Sequence, residues 1–188
     1  MYYFTGSHVL PIRPLFVRSR LLYYYPRAQS AAGDADSWCT EHTDHGSLTA
    51  LASAMFFDAD GRPLDACPDP AAGLYIRGRD GQLRKCPLRP DLLFFQIGEA
   101  AMIASGGLLA ATPHRVRAPR PAAAGVGRGT LALFMQPDGS EPLAPPPHLP
   151  PQVLAALAAR LPAWKPAASS SSCQTFGEFT AATLDRYY

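Results

Sequence analysis

Short runs of apolar residues, separated by proline, glycine and aspartate, make up most of the chain as far as Gln136. Branched and aromatic side chains are frequent in these runs, which favours strands over helices. Asp80 and Gly81 stand between two such runs and are typical of a tight hairpin. We expect strands at residues 17–25, 41–55, 73–77, 82–86, 92–97, 108–116 and 128–135. We expect loops or turns at residues 28–37, 58–61, 65–72, 105–107 and 117–127, and a helical turn or a further strand at residues 99–104.

The pattern changes in the last fifty residues or so, where proline, alanine and serine become frequent. Residues 142–151 are rich in proline and are expected to form an extended linker. Residues 151–164 carry apolar side chains at helical spacing, and residues 175–188 are expected to form a closing helix capped by Thr175. Many short strands followed by two helices predict a mainly β protein, a jelly-roll barrel with helices packed outside.

We divide the chain accordingly into a short N-terminal segment, residues 1–16, which we leave unassigned, a barrel core, residues 17–138, and a C-terminal part, residues 139–188, with the linker and the helices. At 188 residues the chain is expected to form a single structural unit.

Composition and charge exclude several functional classes. The formal net charge is only +2, and lysine and arginine form no continuous stripe, so we expect no nucleic-acid partner. No run of about 18 apolar residues is present, so we expect no membrane partner either. The N-terminus lacks the pattern of a secretory signal, which favours a cytoplasmic location. We expect a monomer with a small molecule as its substrate.

The four cysteines, Cys39, Cys67, Cys86 and Cys173, contain no pair at the C-x-x-C spacing of zinc knuckles or thioredoxin-like sites. We expect free thiols. Cys39 stands three residues before His42 and could approach a metal there, but a small buried apolar side chain is the simpler interpretation.

The candidate chemistry begins with His42 and Asp44, which are two residues apart. On an extended strand this spacing directs both side chains to the same face. His114, which lies 72 residues further on, must come from another strand. Two imidazoles and one carboxylate can bind one face of an Fe(II) ion and leave its other positions open. The sequence therefore predicts an iron site at His42, Asp44 and His114.

Arg128 and Thr130 are predicted to bind an organic acid beside that site. A guanidinium matches a carboxylate with two parallel hydrogen bonds, and the hydroxyl of Thr130, two residues on, faces the same way. The separation of His114 and Arg128 allows a strand, a loop and an adjacent antiparallel strand, which would make the two side chains neighbours.

Several motifs together resemble the isopenicillin N synthase-like family of non-haem iron, 2-oxoglutarate-dependent dioxygenases, in the order and at roughly the spacing of that family. They include His-Thr-Asp at residues 42–44, Pro-His-Arg-Val at residues 113–116 and Arg-Gly-Thr at residues 128–130. The complete set comprises residues 23–26, 42–49, 73–76, 97–99, 105–107, 112–116, 128–130 and 175–179.

The resemblance implies a double-stranded β-helix, or jelly roll, with Fe(II) bound by His42, Asp44 and His114. It implies that Arg128 and Thr130 hold the distal carboxylate of 2-oxoglutarate and that Tyr25 contacts this co-substrate. The implied activity consumes dioxygen, hydroxylates or desaturates a small organic substrate, and releases succinate and carbon dioxide. Thr130 replaces the serine usual in the family, and residues 1–16 stand where members carry a long N-terminal region.

Two alternatives stay open at this stage. An iron oxidase of the same fold could use dioxygen without 2-oxoglutarate, and stoichiometric release of succinate would separate it from the first interpretation. A truncated barrel without catalytic activity could instead serve as a binding module, and uptake of Fe(II) at neutral pH would argue against it.

Overall fold

A computed structural model describes residues 16–26, 37–87, 89–120, 125–167 and 173–186 of the chain. Within these residues, ten strands form two antiparallel sheets, and three helices accompany them. The strands are β1 (Phe16–Tyr24), β2 (Ser37–His42), β3 (Leu48–Leu51), β4 (Met55–Phe57), β5 (Pro63–Leu64), β6 (Gly73–Arg77), β7 (Leu83–Lys85), β8 (Phe94–Ile97), β9 (His114–Arg117) and β10 (Gly127–Gln136). The helices are α1 (Glu99–Ala104), α2 (Pro151–Arg160) and α3 (Phe176–Leu184).

The larger sheet is built around β10. Strand β1 pairs with one edge of β10 along its whole length, and β3 and β4 pair with successive parts of the other edge. Strand β8 extends the sheet beyond β3, and β5 extends it beyond β4. Because side chains alternate along a strand, the residues of β10 divide between two faces. Arg128, Thr130 and Ala132 are buried on one face, whereas Leu131 is exposed on the other.

The smaller sheet has the strand order β2-β9-β6-β7. Its inward side chains, among them Leu74 and Val116, line one cavity together with Leu51 and Ala132 of the larger sheet. The two sheets therefore face each other across this cavity. The predicted fold class, a mainly β jelly roll with C-terminal helices outside, is confirmed.

The main apolar core lies outside the barrel, where the three helices meet. Met102 and Ile103 of α1 are fully buried there, next to Leu157 of α2 and Phe179 of α3. Thr175 caps helix α3 as predicted: its hydroxyl accepts a hydrogen bond from the Glu178 amide, and the Glu178 carboxylate accepts one from the Thr175 amide.

Several predicted elements differ in their limits. The single strand expected at residues 41–55 is wrong, because the chain leaves β2 after His42 and enters the other sheet at Leu48. The strand expected at residues 108–116 begins only at His114, and residues 99–104 form a helix. The turn at residues 58–61 was expected, but the short strands β4 and β5 that it joins were not.

The expected pairing of the strands that carry His114 and Arg128 is also wrong. Strand β9 lies in the smaller sheet and β10 in the larger one, so the two residues face each other across the cavity instead of standing side by side. The reason is that β1, β3 and β4 already occupy both edges of β10.

Some sequence expectations fall outside the described residues: the segment 1–15, most of the loop at 28–37, residues 121–124 of the loop at 117–127, and residues 187–188 at the end of the expected closing helix. No helix in the part of the chain that the structure describes has the length and apolar character to cross a membrane.

Candidate metal centre

The three predicted ligands, His42, Asp44 and His114, come together at the cavity between the sheets. His42 and His114 are cross-strand partners in the β2–β9 pair, and their ring centroids are 4.3 Å apart. Asp44 stands two residues past the end of β2, with Oδ1 3.9 Å from His42 Nε2. One ligand atom from each residue can be chosen so that all three lie within 4.8 Å of one another. This arrangement fits a single metal ion.

Both imidazoles are oriented in the same way by the backbone. His42 Nδ1 lies 2.8 Å from the carbonyl oxygen of Thr40, and His114 Nδ1 lies 3.0 Å from that of Thr112. A carbonyl oxygen only accepts, so each Nδ1 carries a hydrogen, and in the neutral form of each imidazole the lone pair is on Nε2. Such hydrogen bonds fix the tautomer and direction of a metal-binding histidine. The two side chains are thus prepared to bind a cation through Nε2.

The Asp44 carboxylate is held by Thr49, whose hydroxyl donates a hydrogen bond of 2.6 Å to Asp44 Oδ2. Thr49 comes from β3 of the larger sheet and is buried, so it connects the metal-site loop to that sheet. The bond occupies Oδ2 and leaves Oδ1 on the side of the histidines. Sequence reasoning assigned Thr49 no role, although it belongs to the motif at residues 42–49.

The backbone of the loop that carries Asp44 is fixed by the start of α1. Three amides at this end donate to its carbonyl oxygens: Gly98 to Ser47 at 3.0 Å, Glu99 to Asp44 at 2.8 Å and Ala100 to Gly46 at 3.1 Å. The first amides of a helix lack partners within the helix, so the loop supplies them. The approach is close enough that a Cβ atom on Gly98 would lie 2.1 Å from the Gly46 oxygen.

The protonation of the two histidines differs in the metal-free protein. The hydrogen bond to Cys39, at 3.7 Å from Sγ to Nδ1, and the one to the Thr40 carbonyl raise the pKa of His42 to about 9. Burial lowers the pKa of His114, which is 6 % exposed, and the charge of Asp44 only partly offsets this. The expectation of free thiols is confirmed for all four cysteines. Cys39 approaches Nδ1 of His42, the ring nitrogen that faces away from the metal position.

Arg128 lies across the cavity from the histidines and is only 3 % exposed. Its Nε and Nη1 groups find no hydrogen-bond acceptor among the described residues, and the buried Oε1 of Gln96 on the same cavity finds no donor there. Burial lowers the pKa of Arg128, yet a guanidinium remains charged at neutral pH. Buried polar groups without partners are rare, so these atoms point to a polar, anionic ligand in the cavity.

Thr130 lines the same cavity, and its hydroxyl donates to the carbonyl oxygen of Ala52 at 3.1 Å. In this rotamer the oxygen can accept a hydrogen bond, and it must turn away from Ala52 before it donates to a ligand.

Tyr25 is not brought to the site: it is 75 % exposed, outside the cavity lining. The preceding residue, Tyr24, lines the cavity instead, and its ring lies 5.3 Å from the guanidinium carbon of Arg128. Burial raises the pKa of Tyr24, and the charge of Arg128 partly offsets this, so its hydroxyl stays protonated and can donate. The β1–β10 register explains the difference, because Tyr24 is the partner of Arg128 and shares its face.

Comparisons with known proteins support the fold. No family model and no curated protein matches the chain. Among solved structures, a protein assigned to the 2OG-Fe(II) oxygenase family from Caulobacter crescentus is 21% identical, with a TM-score of 0.60 over 92% of this chain and 46% of that one. A full-length Neurospora crassa protein, crystallised in complex with alpha-KG, is 22% identical, with a TM-score of 0.54 over 90% and 44%. The rice dioxygenase for auxin oxidation is 17% identical, with a TM-score of 0.57 over 91% and 47%.

This chain therefore has the fold of those oxygenases and spans somewhat less than half the length of each. At these identities the likeness concerns the fold, and the chemistry depends on the residues of the cavity.

Proposed function

We propose that this chain is an Fe(II)- and 2-oxoglutarate-dependent dioxygenase that oxidises a small organic substrate. The observation that carries the proposal is the convergence of the two imidazoles of His42 and His114 with the carboxylate of Asp44. They lie opposite the buried guanidinium of Arg128, whose Nε and Nη1 have no acceptor among the described residues. The fold likeness to oxygenases, one of them with alpha-KG in its crystal structure, supports it.

The iron ligands in this proposal are His42, His114 and Asp44, each with a second atom already engaged. The two Nδ1 atoms donate to backbone carbonyl oxygens, and Asp44 Oδ2 accepts from Thr49. One carboxylate and two neutral imidazoles suit Fe(II) and leave open positions on one side. When bound, iron and 2-oxoglutarate supply the oxidation chemistry, in which dioxygen oxidises a substrate C–H bond and the co-substrate leaves as succinate and carbon dioxide.

Arg128 receives the distal carboxylate of 2-oxoglutarate. Its planar guanidinium offers parallel donors to one carboxylate, and burial strengthens such charge-assisted hydrogen bonds. Tyr24, the cross-strand partner of Arg128, and Thr130, two residues further along β10 on the same face, offer a hydroxyl each. Tyr24 takes the role that the resemblance gave to Tyr25. Bulk water has little access here, because Arg128, Thr130 and Ala132 are all nearly or fully buried. That restriction favours the substrate over solvent as the group that is oxidised.

The test has two steps with purified protein. Under nitrogen, Fe(II) and 2-oxoglutarate together, but neither alone, should give the weak visible absorption band of their chelate. On admission of oxygen, succinate should accumulate above the level without protein. A His148→Asn variant, altered far from the ligands in sequence, serves as the control. Protein that binds Fe(II) but gives neither the band nor succinate would refute the use of 2-oxoglutarate.

A further inference from the structure

The inner face of β1 continues past the proposed co-substrate pocket. Every second residue of this strand faces the cavity side, so Arg18, Arg20, Leu22 and Tyr24 form one row. Leu22 and Tyr24 line the cavity, opposite Thr130 and Arg128. Arg20 and Arg18 extend the row towards solvent, and both are exposed.

The row passes from half-buried to exposed residues at Arg20, and we call this end of the cavity its opening. Its cross-strand partner is Ala132, which is fully buried and lines the cavity. Its guanidinium carbon lies 5.2 Å from the ring centroid of Phe134, which also lines the cavity. Stacking on an aromatic face holds the guanidinium plane in place and leaves its edge, with the N–H donors, free to meet a ligand.

The charge of Arg20 has no acidic partner among the described residues, and the same holds for Arg18. Other arginines differ in this respect: Arg77 forms an ion pair with Glu41, and Arg120 forms one with Asp69. The exposed end of this row therefore carries two positive charges that form no close ion pair among the described residues.

Arg20 and Arg128 are too far apart to serve the same small acid group. Their positions along β10 differ by four residues, which corresponds to about 13 Å at the usual rise per strand residue. The wall between them is formed by Leu22, Ala132 and Thr130, whose hydroxyl donates to the Ala52 carbonyl oxygen. Phe134 follows beyond Ala132, under the guanidinium of Arg20. Along this face a buried cation and an exposed cation are therefore separated by a mainly apolar stretch, with an aromatic ring beside the exposed one.

We infer that Arg20, assisted by Arg18, binds a carboxylate of the substrate, so that the substrate is a small organic acid with an apolar body. This inference rests on the proposed function and adds the substrate class. The acid group pairs with Arg20 at the opening, the apolar body packs on Phe134 and Leu22, and the carbon to be oxidised points towards His42, Asp44 and His114.

The experiment measures binding rather than turnover. The full chain is loaded with Zn(II), as a redox-inert metal, and with 2-oxoglutarate. It is then titrated by calorimetry with a panel of small aromatic and branched aliphatic carboxylic acids, each paired with its neutral primary amide. The proteins are the wild type, Arg20→Gln, Arg18→Gln and, as the matched control, Arg160→Gln, altered on the exposed side of α2.

We expect at least one acid to bind roughly tenfold more tightly than its amide, because only the acid forms charge-assisted hydrogen bonds. Arg20→Gln should remove that preference, with a tenfold or greater loss of acid affinity and unchanged amide and 2-oxoglutarate affinity. Arg160→Gln should behave as the wild type. Equal binding of acids and amides, no acid binding to the wild type, or full acid preference in Arg20→Gln would each overturn the inference. A larger loss in Arg18→Gln would transfer the role to Arg18 and overturn the assignment to Arg20.

The two proposals can fail separately. If the wild type binds no 2-oxoglutarate, the proposed function fails, and the acid–amide comparison without it still decides the role of Arg20. If 2-oxoglutarate binds and succinate forms while acids show no preference, only the substrate class is wrong.

Discussion

Arg128 and Tyr24 are direct cross-strand partners on the inner face of the larger sheet, with 5.3 Å between the guanidinium carbon and the phenol ring. The ring offsets part of the cost of burying a cation, but two guanidinium nitrogens, Nε and Nη1, keep no acceptor among the described residues. A buried charge without full hydrogen bonding destabilises the fold unless a ligand supplies the acceptors. We therefore expect Arg128 to destabilise the ligand-free fold and to strengthen the binding of a carboxylate ligand.

Replacement of Arg128 by methionine tests this relation directly. Arg128→Met keeps much of the side-chain volume and removes the unpaired donors. It should raise the free energy of unfolding of the ligand-free protein by about 1–3 kcal/mol. The same variant should lose the stabilisation that 2-oxoglutarate gives the wild type, because its carboxylate has no cation to meet. Chemical denaturation with and without 2-oxoglutarate measures both effects.

The matched control is Arg160→Met, which changes an exposed arginine at the end of α2. It should alter stability by no more than about 0.5 kcal/mol and leave the response to 2-oxoglutarate intact. An Arg128→Met protein that is less stable than the wild type, or that still responds to 2-oxoglutarate, would contradict the role given to this residue.

The metal ligands can be tested with a histidine that lies apart from them. His42→Ala and His114→Ala each remove one Nε2 donor, so the affinity for Co(II) or Fe(II) should fall by at least about 100-fold, since even the loss of a supporting hydrogen bond costs 10–100-fold. His148→Asn should bind metal as the wild type does, because His148 is an exposed residue with φ of 69°, which asparagine tolerates. Competition with a metal-sensitive dye gives the constants. Unchanged affinity in either alanine variant would exclude that residue as a ligand.

The pH dependence of metal binding should follow His42. Its pKa is raised to about 9 in the metal-free protein, so a proton occupies Nε2 at neutral pH and must leave before a metal binds. The apparent affinity should fall about tenfold per pH unit below pH 9 from this group alone. The stability of the metal-free protein should depend on pH in the opposite direction. The raised pKa of His42 stabilises the fold fully below about pH 6.5, and this contribution to the free energy of unfolding is lost as the pH rises through about 9.

Cys39→Ala separates the causes of that shift, because the hydrogen bond to Cys39 is the largest of them. The variant should lower the pKa of His42, as read from the NMR titration of its ring protons, and should raise metal affinity at pH 7. Cys173→Ala is the control, since Cys173 lies near the start of α3 and outside the cavity lining. If Cys39→Ala leaves the titration of His42 where it was, the thiol does not set its pKa.

The sequence predicts the fold class and the residues of the candidate metal site, because both depend on residue types that can be read along the chain. Short runs of branched and aromatic residues indicate strands, and the chemical types at 42, 44, 114 and 128 indicate the candidate site. The cap of α3 is equally local, with Thr175 and Glu178 three residues apart. Such features need no knowledge of what a segment packs against.

The features that differ depend on contacts between distant segments. His42 and Asp44 were expected on one strand, but Asp44 follows a bend that the amides of Gly98, Glu99 and Ala100 hold from α1. Tyr24 and Tyr25 are chemically identical, and only the pairing of β1 with β10 decides which of them faces the cavity. A single sequence does not contain this register in any readable form.

Gly98 provides the most direct test of how the fold positions the metal site. Its φ of −101° is open to any residue, so an alanine there meets no backbone penalty. The obstacle is steric, because the new Cβ would lie 2.1 Å from the backbone carbonyl oxygen of Gly46 and 2.9 Å from that of Asp44. The loop that carries Asp44 must move away from α1 to make room, and its hydrogen bonds to the three amides must lengthen.

Gly98→Ala should therefore lower the free energy of unfolding by about 1–3 kcal/mol and weaken metal binding, whereas the affinity for 2-oxoglutarate through Arg128 should change less. Gly139→Ala is the matched control, since a Cβ there meets no atom within 4 Å. Denaturation curves and metal titrations of the two variants are compared under the same conditions. Because overpacking alone would affect only stability, normal metal affinity in a folded but destabilised Gly98→Ala protein would show that α1 supports the loop without positioning Asp44.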